Sequence, residues 1–125
     1  MKWSFEIEGA PPTVNSMYKR IIVRQGGKPR PSVMKHQKVA DYQLLVTYRT
    51  REAKPSGWVW PGNQIRIYYD FFLKRDADAD NLLKALNDAI AIALDVNDKV
   101  FIPCVRTKQP DPKPRVIVEI DDGAE

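Results

Sequence analysis

From Gln64 to Lys74 the chain alternates without a break. Ile65, Ile67, Tyr69, Phe71 and Leu73 fall on one side of an extended backbone, and Arg66, Tyr68, Asp70, Phe72 and Lys74 on the other. This predicts a strand with one buried face. The strand runs into Asp76-Ala77-Asp78-Ala79-Asp80-Asn81, and at once into Leu82-Leu83-Lys84-Ala85-Leu86-Asn87-Asp88-Ala89-Ile90-Ala91-Ile92-Ala93-Leu94. The last stretch is apolar nearly all round, so it predicts a buried helix over about Asn81 to Leu94. Any fold for this chain must accommodate a half-buried strand, a buried helix, and three alternating carboxylates where one becomes the other.

Residues two apart on an extended backbone point the same way, so Asp76, Asp78 and Asp80 crowd their charges. Like charges at that spacing repel unless a cation sits among them. Hard divalent cations such as Mg²⁺ take oxygen ligands, usually one or two carboxylates completed by water and substrate phosphate. The stretch therefore reads as part of a metal site. Plainer readings explain less of it. An N-cap at Asp80 or Asn81 accounts for one acid, not three. A solvated acidic turn does not suit direct entry into a buried helix. A calcium loop counted from Asp76 has Asn81 where it needs glycine and Asn87 where it needs glutamate. Lys84 lies one turn beyond Asp80, on the same face. It either bridges to Asp80 or Asp88, or presents a cation to a phosphate. Asp88 reads as structural.

The charge distribution indicates what such a metal would serve. Net charge is +4 over 125 residues, but it is unevenly spread. Between Gly9 and Ala40 there is no acid, while Lys19, Arg20, Arg24, Lys28, Arg30, Lys35 and Lys38 are all basic. From Asp70 to Asp98 there are seven aspartates against Lys74, Arg75 and Lys84. A basic arm beside an acidic centre suggests a polyanion gripped by one part and a metal by the other. The single Cys104 forms no internal disulfide. No apolar run approaches the roughly 20 residues of a membrane span. Met1-Lys2-Trp3-Ser4-Phe5-Glu6 lacks the apolar core of a signal peptide. These features predict one cytoplasmic domain over residues 1–125, without a membrane segment.

In order, Trp3, Phe5 and Ile7 alternate as a strand that Pro11-Pro12 ends. Thr13 to Tyr18 is a loop, Ile21-Ile22-Val23 a short strand, and Gln25 to Pro31 a flexible basic loop. Ser32 would cap a helix of about Val33 to Ala53, with Val39, Tyr42, Leu45, Val46 and Arg49 defining its inner face. Lys35, His36 and Lys38 would then oppose the helix dipole near its start. After the central strand and helix, Lys99 to Thr107 is a strand, Lys108 to Pro114 a stiff loop, and Arg115 to Ile120 a last strand. The expected fold class is α+β: a small mixed β-sheet with two main helices, ordered roughly β-β-α-β-α-β-β. A helix apolar on every side in so small a domain also suggests packing against a second subunit.

Asp78-x-Asp80-Asn81-x-x-Lys84-x-x-x-Asp88-Ala89, with an aspartate beyond the helix before the next strand, resembles the RusA family of Holliday-junction resolvases. Pro11-Pro12-Thr13-Val14-Asn15-Ser16-Met17-Tyr18 is similar to the family's N-terminal Pro-x-x-x-Asn-x-x-Tyr element. The resemblance runs from near the first strand to beyond Asp98. It implies a small homodimeric, Mg²⁺-dependent endonuclease, with Mn²⁺ able to stand in and no organic cofactor. Relatives are often carried by phages and prophages. It implies that Asp78 and Asp80 are the first two catalytic aspartates, Lys84 the catalytic lysine, and Asp98 the third aspartate and metal ligand. The family's acidic pair before the last part of the sheet is here Asn97-Asp98, with Asp95 nearby, so the third ligand is Asp98 or Asp95, and Asp98 is preferred. Asp76 is an extra acid without a catalytic assignment. Asn15 either positions DNA or a metal-bound water, or is a turn residue after Pro-Pro.

The resemblance meets a geometric obstacle. A helix from Asn81 to Leu94 is about 20 Å long, with Asp80 at one end and Asp98 past the other. One solution is an intertwined homodimer in which two such helices pack antiparallel about a two-fold axis and each Asp98 approaches the partner's Asp78 and Asp80. A dimer also suits branched DNA, because a four-way junction needs two symmetric nicks. Lys19, Arg20, Arg24, Lys28, Arg30, Lys35 and Lys38 would track its phosphates. Two rivals are a non-catalytic dimer that holds branched DNA and a less specific flap or fork nuclease.

Overall fold

The central strand forms as its alternation requires. In the computed structural model, which describes every residue except Asn15, Ser16 and Glu125 and the side chains of Tyr18, Lys19, Gln25 and Val33, it is the longest-buried element of a four-stranded sheet. The elements are β1 (Lys2–Glu8), β2 (Tyr18–Gln25), β3 (Lys28–Lys35), α1 (Gln37–Ala53), β4 (Ile65–Leu73), α2 (Ala79–Leu94), β5 (Phe101–Pro110) and β6 (Arg115–Asp121), with a 3₁₀ turn at Asp98–Val100 before β5. The sheet order is β1-β6-β4-β5, and β2 and β3 form a separate hairpin. β4 pairs antiparallel with β6 and parallel with β5, so α2 is the crossover of a β-α-β unit. This is the α+β class with two helices and a mixed sheet that the sequence indicates.

Ile65, Ile67, Tyr69, Phe71 and Leu73 all point into the core, where Leu82, Leu86, Ala89, Ile90 and Leu94 of α2 meet them. The opposite face of the sheet is covered by long cations. The Arg115 guanidinium lies 4.1 Å from the Phe72 ring centre, and that of Arg106 lies 5.1 Å from Tyr68. A bulge in β5 between the partners of Tyr69 and Asp70 leaves Arg106 unpaired in the ladder and aims it at Asp70 (2.9 Å) and Glu119 (3.1 Å).

α1 lies on α2. Gln43 Nε2 donates to the Ala85 carbonyl at 3.2 Å and Thr47 Oγ1 to that of Ala89 at 3.4 Å. Both helices advance by four residues in the same direction, so they run parallel. The start of α1 therefore lies beside the start of α2. The buried positions of α1 are Val39, Gln43, Val46 and Thr50. Tyr42 and Leu45 pack at the rim of the core, and Arg49 instead reaches Glu8 at 2.7 Å.

Several boundaries differ from the sequence reading. The expected loop Gln25 to Pro31 is a hairpin: Gly26 and Gly27 both have positive φ (61° and 78°) and close a two-residue turn between Gln25 and Lys28. Ser32 thus sits in β3 rather than capping a helix, and α1 starts at Gln37 with His36 in the cap position. Only Lys38 of the three expected basic residues lies in its first turn. The cap of α2 is Asp78, not Asp80 or Asn81. β5 begins after the 3₁₀ turn and continues to Pro110, shortening the following loop. Nor does α2 need a second subunit to cover it. The sheet and α1 bury most of it, leaving Asp80, Lys84 and Ile92 (63% exposed) toward solvent. Among the described residues no helix is long and apolar enough to cross a membrane.

Candidate metal and nucleic-acid site

The C-terminal end of β4 hands the chain to a short loop and then to α2. Asp78 occupies the N-cap in an extended conformation (φ −65°, ψ 129°), yet its side chain makes no capping hydrogen bond. An N-cap aspartate ordinarily accepts from a backbone amide two or three residues on, worth about 1 kcal/mol. Here that carboxylate is exposed instead, as is Asp80 in the first turn. Neither takes part in an ion pair among the described residues. Two exposed carboxylates at a helix start, with one end of the helix dipole favouring a further anion such as phosphate, suit a hard cation that shares its coordination with a nucleic-acid backbone.

The third acid of the series is engaged elsewhere. Lys108 Nζ, from β5, donates to Asp76 Oδ1 at 3.0 Å and to the Ala77 carbonyl at 2.9 Å. Asp76 Oδ1 also accepts from the Ala77 amide at 3.0 Å. The Lys108 hydrogen bond, then its charge, holds the Asp76 carboxyl below its ordinary range. Lys108 thereby neutralises one carboxylate and ties the loop to the sheet just before Asp78. Lys108, expected in the loop after the strand, lies within β5. β5 extends three residues further than expected and carries Lys108 to the aspartate loop.

Lys84 Nζ donates to Asp88 Oδ2 at 3.1 Å, four residues along the exposed face of α2. Asp98 lies in the 3₁₀ turn beyond the other end of the helix. Asp95 is the left-handed residue that terminates α2 (φ 56°), with the Asp95 and Val96 amides closing back onto Ile92 and Ala91. The helix has 16 residues, about 24 Å at its usual rise. Asp78 and Asp80 are therefore together at one end, and Asp95 and Asp98 are at the other. Among the described residues no group of three or more His, Cys, Asp or Glu side chains within the chain could hold a metal.

The basic segment is the β2–β3 hairpin and its root. Arg20, Arg24, Lys28 and Arg30 are exposed on it, and Lys38 is exposed on α1. Lys35 Nζ donates to Gln43 Oε1 at 2.6 Å. Met17, fully buried, wedges between Val39 and Ala85, and the His36 amide donates to the Met17 carbonyl at 3.0 Å. Ala85 lies in the N-terminal half of α2 and Val39 in the first turn of α1, so the arm is rooted on the half of α2 that begins with Asp78 and Asp80. Asn15 and the side chain of Lys19, expected at a nucleic-acid surface, lie outside the described residues.

No curated protein matches this chain. A family does: the model for Endodeoxyribonuclease RusA matches residues 8–121. The match takes in everything from the last residue of β1 to the last of β6, and so includes the hairpin, the aspartate loop, both helices and Asp98. Nearly all of its length matching in this way, the chain belongs to the RusA family of endodeoxyribonucleases, enzymes of the Holliday-junction resolvase type.

Proposed function

We propose that this protein is a Mg²⁺-dependent endonuclease that resolves four-way DNA junctions by paired nicks, acting as a homodimer. The observation that carries the reading is the pair Asp78 and Asp80. They stand exposed, without an ion pair among the described residues, at the same end of the molecule as a basic arm, in a chain of this family.

Asp78 and Asp80 would hold the cation, and Asp98 would complete its ligands. Divalent-metal dependence is general among RusA-type nucleases, and two carboxylate oxygens leave room for the phosphate and water that Mg²⁺ prefers to keep. A divalent cation held by Asp78 and Asp80 would supply positive charge to the phosphate and lower the pKa of the attacking water. The chain's own residues do the rest. Lys84, on the exposed face one turn beyond Asp80, neutralises charge that develops on the phosphate, exchanging its Asp88 partner for it. Arg20, Arg24, Lys28, Arg30, Lys35 and Lys38, with Lys19, take the neighbouring phosphates. Asn15 helps to position the DNA.

The separation of Asp98 from Asp80 by the length of α2 supports a site shared across a dimer, in which Asp98 comes from the second copy. That arrangement places two identical sites about a two-fold axis, which matches the symmetry of a four-way junction. The test is incubation with a synthetic four-way junction, with and without Mg²⁺, beside an Asp80→Asn control. Symmetric nicks that require both the metal and Asp80 are expected. Binding without cleavage under any divalent metal would make the protein a branched-DNA-holding module instead, and equal cleavage of flaps and forks would make it a less specific nuclease.

A further inference from the structure

Among its described residues the hairpin carries two exposed large apolar side chains, Met34 in β3 (46% exposed) and the more exposed Ile22 in β2. Ile22 is 76% exposed in the middle of β2. The register sets it directly opposite Pro31, with Arg24 opposite Pro29. Residues two apart share a face of a strand, so Arg20 and Arg24 flank Ile22 on the same side as both prolines. The other face carries Ile21 and Val23, which are half-buried, and Met34, which is exposed. A single exposed isoleucine would mean little. Here it is paired with a proline, bracketed by two arginines, and carried on an arm that contributes nothing to the main sheet.

We infer that this face is a wedge. Ile22 and Pro31 enter the base stack at a DNA branch point while Arg20 and Arg24 hold the phosphates on either side. The inference rests on the proposed junction-cleaving function and adds the element that would tell a branch from a plain duplex.

Three features favour nucleic acid as the occupant. The segment between Glu8 and Asp41 contains no acid, so its surface is complementary to a polyanion and repels basic partners. Pro29 and Pro31 remove backbone donors from the outer edge of β3, so that edge is a poor template for a further strand, including one from a second copy. Ile22 and Pro31 are both stiff, so little conformational freedom is lost when they are inserted. Isoleucine and proline are among the side chains that enter between base steps and unstack them. The cost of doing so is least where stacking is already interrupted, as at a branch point. Ile22 lies five residues along the strand from the buried anchor Met17, about 16 Å. The root of the hairpin packs on Ala85, in the same helix that Asp78 and Asp80 begin.

The test uses the full chain in metal-free buffer, so that nothing is cut, and a four-way junction with 2-aminopurine at the branch. Binding of the wild type should raise the fluorescence as the base unstacks. Ile22→Ser should abolish the rise and lower the preference for junction over duplex by roughly tenfold, the size of one base contact, with duplex affinity unchanged. Ile22→Leu should retain the rise. Because Ile22 is exposed, circular dichroism should show both variants folded. If the wild type binds the junction without a fluorescence rise, or Ile22→Ser keeps it, the wedge is wrong and junction binding stands. Equal weakening toward junction and duplex would reduce Ile22 to a backbone contact and also overturn the wedge. A change in sedimentation of Ile22→Ser would assign this face to a protein interface instead. Failure of the wild type to bind the junction at all would remove the proposed function, and the wedge with it.

Discussion

Mixing two inactive variants, Asp80→Asn and Asp98→Asn, tests the shared site quantitatively. Oxygens on one Mg²⁺ lie roughly 2.1 Å from it, hence within about 4 Å of each other. The two ends of α2 are about 24 Å apart, and rotation of an aspartate side chain does not close that gap. If Asp98 acts on the partner's carboxylates, a mixed dimer contains one site with both mutations and one with neither. The second takes Asp78 and Asp80 from the Asp98→Asn chain and Asp98 from the Asp80→Asn chain. Equal mixing with free exchange makes about half the dimers mixed, each with one of two sites intact, so nicking should return to about a quarter of the wild-type level. The product also discriminates. On a cruciform plasmid, dimers with one working site should yield open circles, whereas the wild type should yield linear molecules. Gel electrophoresis reads both, and mass-tagged subunits establish that exchange has occurred. If mixed dimers form and remain as inactive as either parent, the site is not shared and the reasoning from the length of α2 fails.

Other expectations follow from individual contacts. Replacing Lys108 with methionine should let the Asp76 carboxyl titrate closer to its ordinary 3.8; NMR of the carboxyl carbon reads this directly. Since the folded-state pKa is depressed, the contribution of the pair is present above 3.8 and disappears as pH falls through the folded value, so wild type and variant should converge in stability in strong acid. The same variant should bind divalent metal more weakly, because the loop before Asp78 loses its tie to β5, and unaltered affinity would show that the tie does not position the site. Alanine at both Gly26 and Gly27 places side chains where φ is positive, at about 1–2 kcal/mol each. Junction affinity by fluorescence anisotropy should fall while the main thermal transition moves little, since the hairpin is separate from the main sheet. Neutralising any one of Arg20, Arg24, Lys28 or Arg30 should reduce the slope of log affinity against log salt by about one if each meets a phosphate, and an unchanged slope would remove that residue from the contact surface.

The most legible parts of the sequence were those where one physical demand dominated. Strict alternation from Ile65 to Leu73 admitted only a strand with that face inward, and the same five side chains are buried. The aspartate series marked the junction of β4 and α2 because charge there had no other evident use. The hairpin was misread because Pro29 and Pro31 argue against a central strand. They are acceptable here in a free-standing pair, and the Gly26-Gly27 dipeptide was the turn signal that outweighed them. The start of α1 slipped with it, since serine caps helices but is equally at home in a strand. The apolar girth of α2 was read as a subunit interface, whereas the parallel α1, through Gln43 and Thr47, covers the side the sheet leaves open. Lys108 escaped notice because its partners, Asp76 and Ala77, are some thirty residues away. No local pattern encodes a tertiary tie of that kind.

The central claim is that Asp78 and Asp80 exist to bind a divalent cation. It is tested most directly by titrating the isotopically labelled protein with Mn²⁺ and following paramagnetic broadening residue by residue. Resonances around Asp78 and Asp80 should broaden first, Mg²⁺ should reverse the effect by competition, and Asp80→Asn should abolish it. Broadening centred on other acids, or none at stoichiometric metal, would contradict the account.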